Sequence, residues 1–73
     1  MSTIQVESEV AGKVWKIEAK VGDALVEEAT ILILESMKME IPVLAPEAGK
    51  LVEILVAEGD VVDEGQVLAI IEV

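Results

Sequence analysis

The residue with the clearest chemical potential in this chain is Lys38, at the centre of Glu35-Ser36-Met37-Lys38-Met39-Glu40 between two apolar, strand-like runs. Runs this close predict a hairpin, and tight hairpins favour Asn-Gly or Asp-Gly because those residues tolerate positive φ. Met37 and Lys38 tolerate it poorly. A lysine in a turn is ordinarily a solvated charge, but its amine is also a nucleophile. The unusual turn therefore makes this segment the first candidate site.

Little else in the composition could perform catalysis or hold a metal. The chain has no cysteine and no histidine, and Tyr, Phe and Arg are absent as well. Thiolate sites, disulfides and the commonest general base are thereby excluded. An Asp/Glu pair can act as acid and base, but nothing in the sequence brings two of them into a cleft. We expect no catalytic residue and no metal site, so hydrolase and oxidoreductase activities are the least favoured hypotheses.

The charge balance argues against some classes of binding partner. Five lysines against fifteen acidic residues give a net charge of −10, which repels phosphate backbones and argues against nucleic-acid binding. The N-terminal residues lack a basic, then apolar leader, and no apolar run approaches the ~18 residues of a membrane span. We expect a cytoplasmic protein without membrane contact, monomeric in isolation, whose scattered acidic residues solvate its surface.

An internal repeat organises the chain. Residues 8–35 align without a gap on residues 45–72 at an offset of 37, and nine of the 28 pairs are identical, among them the Ala-Gly-Lys and Gly-Asp elements. Two copies are too few for a solenoid, so the halves should pack on each other. We predict one domain, residues 1–73, with pseudo-two-fold symmetry. The segment 36–44 occurs once and joins the halves as the lysine hairpin.

Alternation along the repeat predicts strands with one buried face. The parity assigned to the core falls on Trp15, Ile17, Ala19 and Val21 in the first half and on Val52, Ile54 and Val56 in the second. Gly-Asp at 22–23 and 59–60 turns the chain. Gly65 aligns with Glu28, so positive φ at Gly65 would require Glu28 to adopt it or to reshape its turn. In the hairpin the inward parity falls on Met39, Ile41 and Val43.

The late strands, about 30–36 and 67–73, are apolar on both faces and should be covered on both sides. Pro42 lacks a ladder donor, which favours an edge strand after the turn. No segment has helical length and period. The sequence predicts an all-β fold, either a two-sheet sandwich or a flattened barrel.

The residues 35–40 resemble the Ala-Met-Lys-Met signature of the biotinyl/lipoyl-attachment domain family, and the later Ala45-Pro46-x-x-Gly49 and Glu58-Gly59-Asp60 elements are similar to theirs. The resemblance is strongest to the small freestanding biotin/lipoyl attachment proteins and to the biotin carboxyl carrier domain. Ser36 stands where these carriers usually have Ala. The protruding thumb of some bacterial carriers has no counterpart between residues 20 and 31, so no such loop would clamp a bound biotin.

This resemblance implies an eight-stranded, flattened barrel-sandwich of two four-stranded antiparallel sheets, with the modified lysine on an exposed hairpin. It implies that Lys38 is the covalent biotin acceptor, framed by the recognition residues Met37 and Met39 and by the tip neighbours Glu35, Ser36 and Glu40. A biotin protein ligase would modify Lys38. The tethered biotin would then shuttle a carboxyl group between biotin carboxylase and carboxyltransferase components, while the chain itself remains a non-catalytic carrier.

Two alternatives share the fold. A lipoyl carrier also uses a lysine hairpin, but lipoyl domains usually place Asp before the lysine and Ala after it, which makes lipoate the less favoured cofactor. An unmodified interaction module, such as the barrel-like domain of a transport adaptor, would need no lysine at all.

Overall fold

The computed structural model describes residues 2–73, in which every regular element is a β-strand; Met1, part of the predicted domain, lies outside the described residues. The eight strands are β1 (Thr3–Glu7), β2 (Gly12–Ile17), β3 (Ala24–Leu25), β4 (Thr30–Ser36), β5 (Met39–Leu44), β6 (Gly49–Ile54), β7 (Val61–Val62) and β8 (Val67–Glu72). The predicted all-β class is confirmed.

The strands form two four-stranded antiparallel sheets, ordered β1-β8-β6-β3 and β5-β4-β2-β7. The repeat offset of 37 converts each strand of the first sheet into the strand at the same place in the second: it is added for β1 and β3 and subtracted for β8 and β6. The registers agree as well, since Thr3 pairs with Glu72 in one sheet and Glu40 with Glu35 in the other. The two halves of the repeat are thus exchanged by a pseudo-two-fold axis between the sheets, as predicted.

The central strands β4 and β8 carry most of the core. In β4, Ile31 and Leu32 are consecutive and both fully buried, as are Leu68 and Ala69 in β8. Alternation is interrupted here, because Ile31 and Leu68 are the extra residues of β-bulges in the pairings with β5 and β1, so consecutive burial does not require that both faces be covered. On the face opposite Leu32 and Leu34 lies Ile33, which is only partly buried, as is its counterpart Ile70 in β8. The prediction that these strands are largely covered on both sides is therefore confirmed for the face between the sheets and only in part for the other face.

The prediction that Trp15 lies in the core is wrong. Val14 is 1% exposed, whereas Trp15 is 49% exposed. The ladder between β2 and β4 pairs Val14 with Leu34 and then Lys16 with Ile33, which leaves Trp15 as an extra residue. Such a β-bulge shifts the alternation by one position. Val14 therefore takes the inward place and Trp15 faces solvent. The inward assignment of Val21 is wrong as well, because β2 has ended and Val21 lies in the turn before Gly22, where it is 60% exposed.

The second half repeats this irregularity. Leu51 pairs with Ile71 and Glu53 with Ile70, so Val52 is the extra residue in β6. Leu51 is fully buried, and Val52, predicted to face the core, is only partly buried. The duplicated bulge shows that this feature belongs to the repeat unit itself.

The expected turn chemistry is observed. Gly22 and Gly59 adopt positive φ in the two Gly-Asp turns. At the second pair of turns Gly65 has φ 86° and Glu28 has φ 71°, so Glu28 adopts the left-handed conformation instead of reshaping the turn. A residue with a Cβ is less stable there than glycine by roughly 1–2 kcal/mol.

The bulge yields a test of which β2 side chain supports the core. We expect Val14→Ala to lower the free energy of unfolding by about 1–3 kcal/mol, because it leaves a cavity between the sheets. Trp15→Ala should lower it by about 1 kcal/mol or less, since half of the indole is already solvated. Urea unfolding followed by circular dichroism measures both. A larger loss for Trp15→Ala than for Val14→Ala would contradict the assignment.

Candidate cofactor attachment site

The β4–β5 hairpin reverses direction through two residues only. The ladder runs through Leu34–Ile41 and Glu35–Glu40 to a last pair, Ser36 with Met39, which leaves Met37 and Lys38 as the loop. Met37 has φ 52° and Lys38 has φ 66°. Two positive φ values in a two-residue loop are those of a type I′ turn, the turn that matches the twist of antiparallel strands. We call residues 36–39 the lysine turn.

The lysine turn is locally strained. Met37 and Lys38 both occupy the left-handed region, where a side chain disfavours the backbone by roughly 1–2 kcal/mol per residue. The ladder below the turn fixes the register and so requires this conformation. Strain of this kind persists where the surrounding structure imposes it, and it is concentrated at functional sites.

The side chains of the turn face solvent. Met37 is 91% exposed and Met39 is 63% exposed, and Lys38 and Glu40 are exposed as well. The prediction that Met39 faces the core is therefore wrong. Its pair with Ser36 is the last of the hairpin, whereas β2 begins beside it at Gly12, so no core lies beneath Met39. Further along the strand Ile41 is partly buried and Val43 is buried, as predicted.

The edge position of β5 is confirmed. It ends its sheet, and Pro42 is exposed on it, where a missing N–H leaves no gap inside the sheet. Beneath the turn, Glu35 lies opposite Glu40 on β5 and opposite Lys13 on β2. Two carboxylates directly opposite each other are unfavourable in a sheet, so the base of the turn is locally suboptimal too.

A close backbone contact seats the hairpin on β2. A Cβ placed on Gly12 would lie 2.8 Å from the carbonyl oxygen of Glu35 and 3.4 Å from the Cβ of Ser36. Only glycine allows β2 to approach the hairpin this closely. The structure thus brings the six predicted residues together as Lys38 and Met37 in the loop, Ser36 and Met39 closing it, and Glu35 and Glu40 one pair below.

Lys38 has no carboxylate close enough to neutralise it. Among residues 2–73 the ion pair within 4.0 Å joins Lys16 and Glu18, whose Nζ and Oε1 are 3.7 Å apart. Because Lys38 is exposed, its amine can be reached from solvent. In the same described part of the chain, no cluster of three or more His, Cys, Asp or Glu could hold a metal ion, and no helix is long and apolar enough to cross a membrane.

Two residues near the turn are not predicted by the sequence pattern. Trp15 and Glu58 line one surface cleft with Lys13, Val14, Glu35 and Gly59. The alternation assigns Trp15 to the core, and only the bulge moves it to this surface. One signal was available in the repeat, because the offset of 37 places Val52 at the position equivalent to Trp15 and Val21 at the position equivalent to Glu58.

Comparison with known proteins points to one family. The family model described as "Biotin-requiring enzyme" matches residues 4–71. The biotin/lipoyl attachment protein of Bacillus subtilis is 46% identical over 63 residues, which cover 86% of both chains. The urea amidolyase of Saccharomyces cerevisiae is 43% identical over 67 residues, covering 92% of this chain and 4% of the yeast protein.

A solved structure agrees in fold. The crystal structure of the Kluyveromyces lactis urea carboxylase superposes with a TM-score of 0.94 at 36% identity, over 99% of this chain and 6% of that one. The chain thus corresponds in length to most of the Bacillus relative and to a small part of the two large fungal proteins.

The strained turn makes a prediction about stability. Met37→Asn should leave the free energy of unfolding unchanged or raise it by up to about 1 kcal/mol, because Asn tolerates positive φ better than Met. Met37→Val should lower it by about 1–2 kcal/mol, since a β-branched side chain fits the left-handed region badly. Thermal unfolding of both variants measures this. If Met37→Asn is the less stable of the two, backbone strain does not dominate at this position.

Proposed function

The chain belongs to the Biotin-requiring enzyme family and is a non-catalytic biotin carrier domain, and we propose that Lys38 is the residue to which biotin is joined. The observation that carries this proposal is the exposed, unpaired amine of Lys38 on a two-residue turn whose backbone is strained. No other lysine of the chain lies in such a turn: Lys13, Lys16 and Lys50 are strand residues, and Lys20 lies before the Gly-Asp turn. We take residues 1–73 as a single carrier domain.

The residues of the turn suit a protein ligase as the modifying partner. The ligase joins the carboxylate of biotin to the AMP group of ATP, with release of pyrophosphate, and the neutral amine of Lys38 attacks the carbonyl carbon of this adenylate. An amide bond forms, AMP leaves, and the amine gives up its proton to solvent or to the ligase. The exposed ladder end keeps Lys38 away from the rest of the domain, so a ligase can enclose it. The modification removes one positive charge from a chain whose formal net charge is already −10.

The flanking methionines supply apolar contact area to that ligase. Met37 and Met39 present long thioether side chains to solvent on both sides of the lysine, where they have no core to stabilise. Polarisable Met side chains adapt to irregular apolar surfaces. Glu35, Ser36 and Glu40 complete the surface that a ligase would contact.

Once attached, biotin carries a carboxyl group between two active sites, and the protein contributes position and tethering. The rigid ladder of β4 and β5 fixes the attachment point, and the tether raises the local concentration of the cofactor at each site. Relatives named as a urea amidolyase and as biotin carboxyl carrier proteins of acetyl-CoA carboxylase support carboxylase components as partners. We assign these encounters, with the ligase, to the cytoplasm.

Lipoate is the second candidate cofactor, because the Bacillus relative is named for both attachments. The same lysine turn would present the amine to a lipoyl ligase. Met on both sides of Lys38 favours biotin, since lipoyl domains usually place Asp before the lysine and Ala after it.

The attachment site is tested by mass spectrometry of the whole chain. Incubation with biotin protein ligase, biotin and ATP should add one biotinyl group, and peptide mapping should locate it on Lys38. Lys38→Arg should abolish the adduct, while Lys50→Arg, the matched control in the other half of the repeat, should keep it. An adduct that survives Lys38→Arg would exclude this site. A parallel reaction with lipoyl ligase and lipoate distinguishes the two cofactors.

The role of Met39 is tested separately. Met39→Asp should slow ligase modification at least about tenfold, because it places a charge in an apolar contact that the ligase would desolvate. Its free energy of unfolding should change by less than about 0.5 kcal/mol, since the side chain is mostly exposed. Initial rates of biotin incorporation and urea unfolding give the two values. Loss of amide dispersion in the variant would instead assign Met39 a structural role.

A further inference from the structure

The cleft lined by Lys13, Val14, Trp15, Glu35, Glu58 and Gly59, here called the Trp15 cleft, has a volume of about 320 Å³ and lies on the sheet that carries the lysine turn. We propose that it binds the head group of the biotin tethered to Lys38, so that the loaded carrier alternates between a docked and an extended arm. This inference rests on the proposed attachment at Lys38.

The walls of the Trp15 cleft are held in place by the backbone. The turn before β7 is fastened to β2, because Val14 N–H donates to the Asp60 carbonyl at 2.8 Å and Gly59 N–H donates to the Val14 carbonyl at 2.7 Å. Glu58 is fixed in the same way, since its Oε2 accepts a hydrogen bond from the Ile17 N–H at 3.0 Å. The cleft therefore exists before any ligand arrives.

The repeat provides an internal comparison for this cleft. The equivalent backbone frame occurs on the other sheet, where Gly22 N–H donates to the Leu51 carbonyl at 2.7 Å and Leu51 N–H donates to the Asp23 carbonyl at 2.9 Å. There the positions of Trp15 and Glu58 are held by Val52 and Val21. Of the two equivalent places, the one beside the sheet that carries the lysine turn has the large aromatic ring and the additional carboxylate.

The chemistry of the cleft complements the head group of biotin. That group has an apolar, sulfur-containing ring fused to a ureido ring, which offers two N–H donors and one carbonyl acceptor. The half-exposed indole of Trp15 can pack against the apolar ring and its sulfur. The carboxylates of Glu35 and Glu58 can accept the ureido N–H groups, and the Lys13 ammonium can donate to the ureido carbonyl. Each hydrogen-bonding group of the ureido ring thus has a side chain of complementary type, donor or acceptor, among the residues that line the cleft.

The tether is long enough to reach. The row of Glu40, Glu35 and Lys13 lies about two residues below Lys38, roughly 7 Å along the strands, and neighbouring strands are about 5 Å apart. The biotinyl-lysine arm contains roughly ten bonds of about 1.5 Å between its Cα and the ring system. A bent arm can therefore place the head group over β2 while the amide remains at the turn.

The experiment uses the fluorescence of Trp15, the single tryptophan of the chain. Unmodified and fully biotinylated protein, with occupancy established by intact mass, are compared in emission spectrum and in quenching by acrylamide. We expect a blue-shifted emission and an approximately twofold lower quenching constant after biotinylation, because the ring system covers the exposed half of the indole. Biotinylated Glu58→Gln and Lys13→Met should return toward the quenching of the unmodified chain. The matched control Lys50→Met, in the other half of the repeat, should behave as the parent chain.

Two outcomes separate this inference from the proposed function. Complete biotinylation at Lys38 with unchanged emission and quenching would overturn the docking inference and leave the attachment site intact. Absence of an adduct would instead overturn the attachment site. In that case the Lys38→Cys variant can be alkylated at this single position with a thiol-reactive biotin of similar arm length, because the chain has no cysteine of its own. Unchanged Trp15 quenching in that fully labelled protein would then overturn docking as well.

Discussion

The pairing of Ser36 with Met39 is the constraint on which the site depends. It leaves two residues to reverse the chain, and the right-handed twist of the strands then requires positive φ at both. The sequence supplies Met and Lys, which resist that conformation, so the turn is held by the ladder beneath it and by the close approach of Gly12 to Glu35. The scaffold therefore stabilises a turn that its own residues disfavour.

The pseudo-two-fold axis explains where that turn lies. The axis relates the β4–β5 connection to the gap between β8 and β1, where Thr3 pairs with Glu72 as Glu40 pairs with Glu35. At this gap the chain has its two ends, and Val73 N–H donates to the Ser2 carbonyl at 2.9 Å. The lysine turn is thus the covalent link between halves that otherwise join by packing and by backbone hydrogen bonds such as those of β2 with β7 and of β3 with β6. A residue in the lysine turn is held by strands that lead into both halves, but it lies outside the repeated sequence itself.

The sequence predicts most of this architecture because the repeat and the apolar composition of the late strands indicate which segments are buried. β4 and β8, the edge position of Pro42 and the left-handed turns at Gly22 and Gly59 all follow from side-chain type. The bulge in β2 does not, because Val14 and Trp15 are both apolar and either could face inward. Only the hydrogen-bond register shows that Trp15 is the extra residue. The error at Met39 has a different origin, since parity was extended beyond the last row of the sheet that has a core beneath it.

Both errors, at Trp15 and Met39, assign to the core a side chain that the structure places in solvent. A duplicated scaffold keeps its core by conserving buried positions in both copies, as Val14 and Leu51 illustrate, and it is free to differ where side chains reach solvent. On the sheet that carries the lysine turn, Trp15 and Glu58 are two exposed positions that differ from their equivalents, on a backbone frame that both sheets share. About half of Trp15 is in contact with water, so an apolar ring bound there would remove apolar surface from solvent. A docked biotin head group would thereby bury more apolar surface at Trp15 than at Val52, its smaller equivalent.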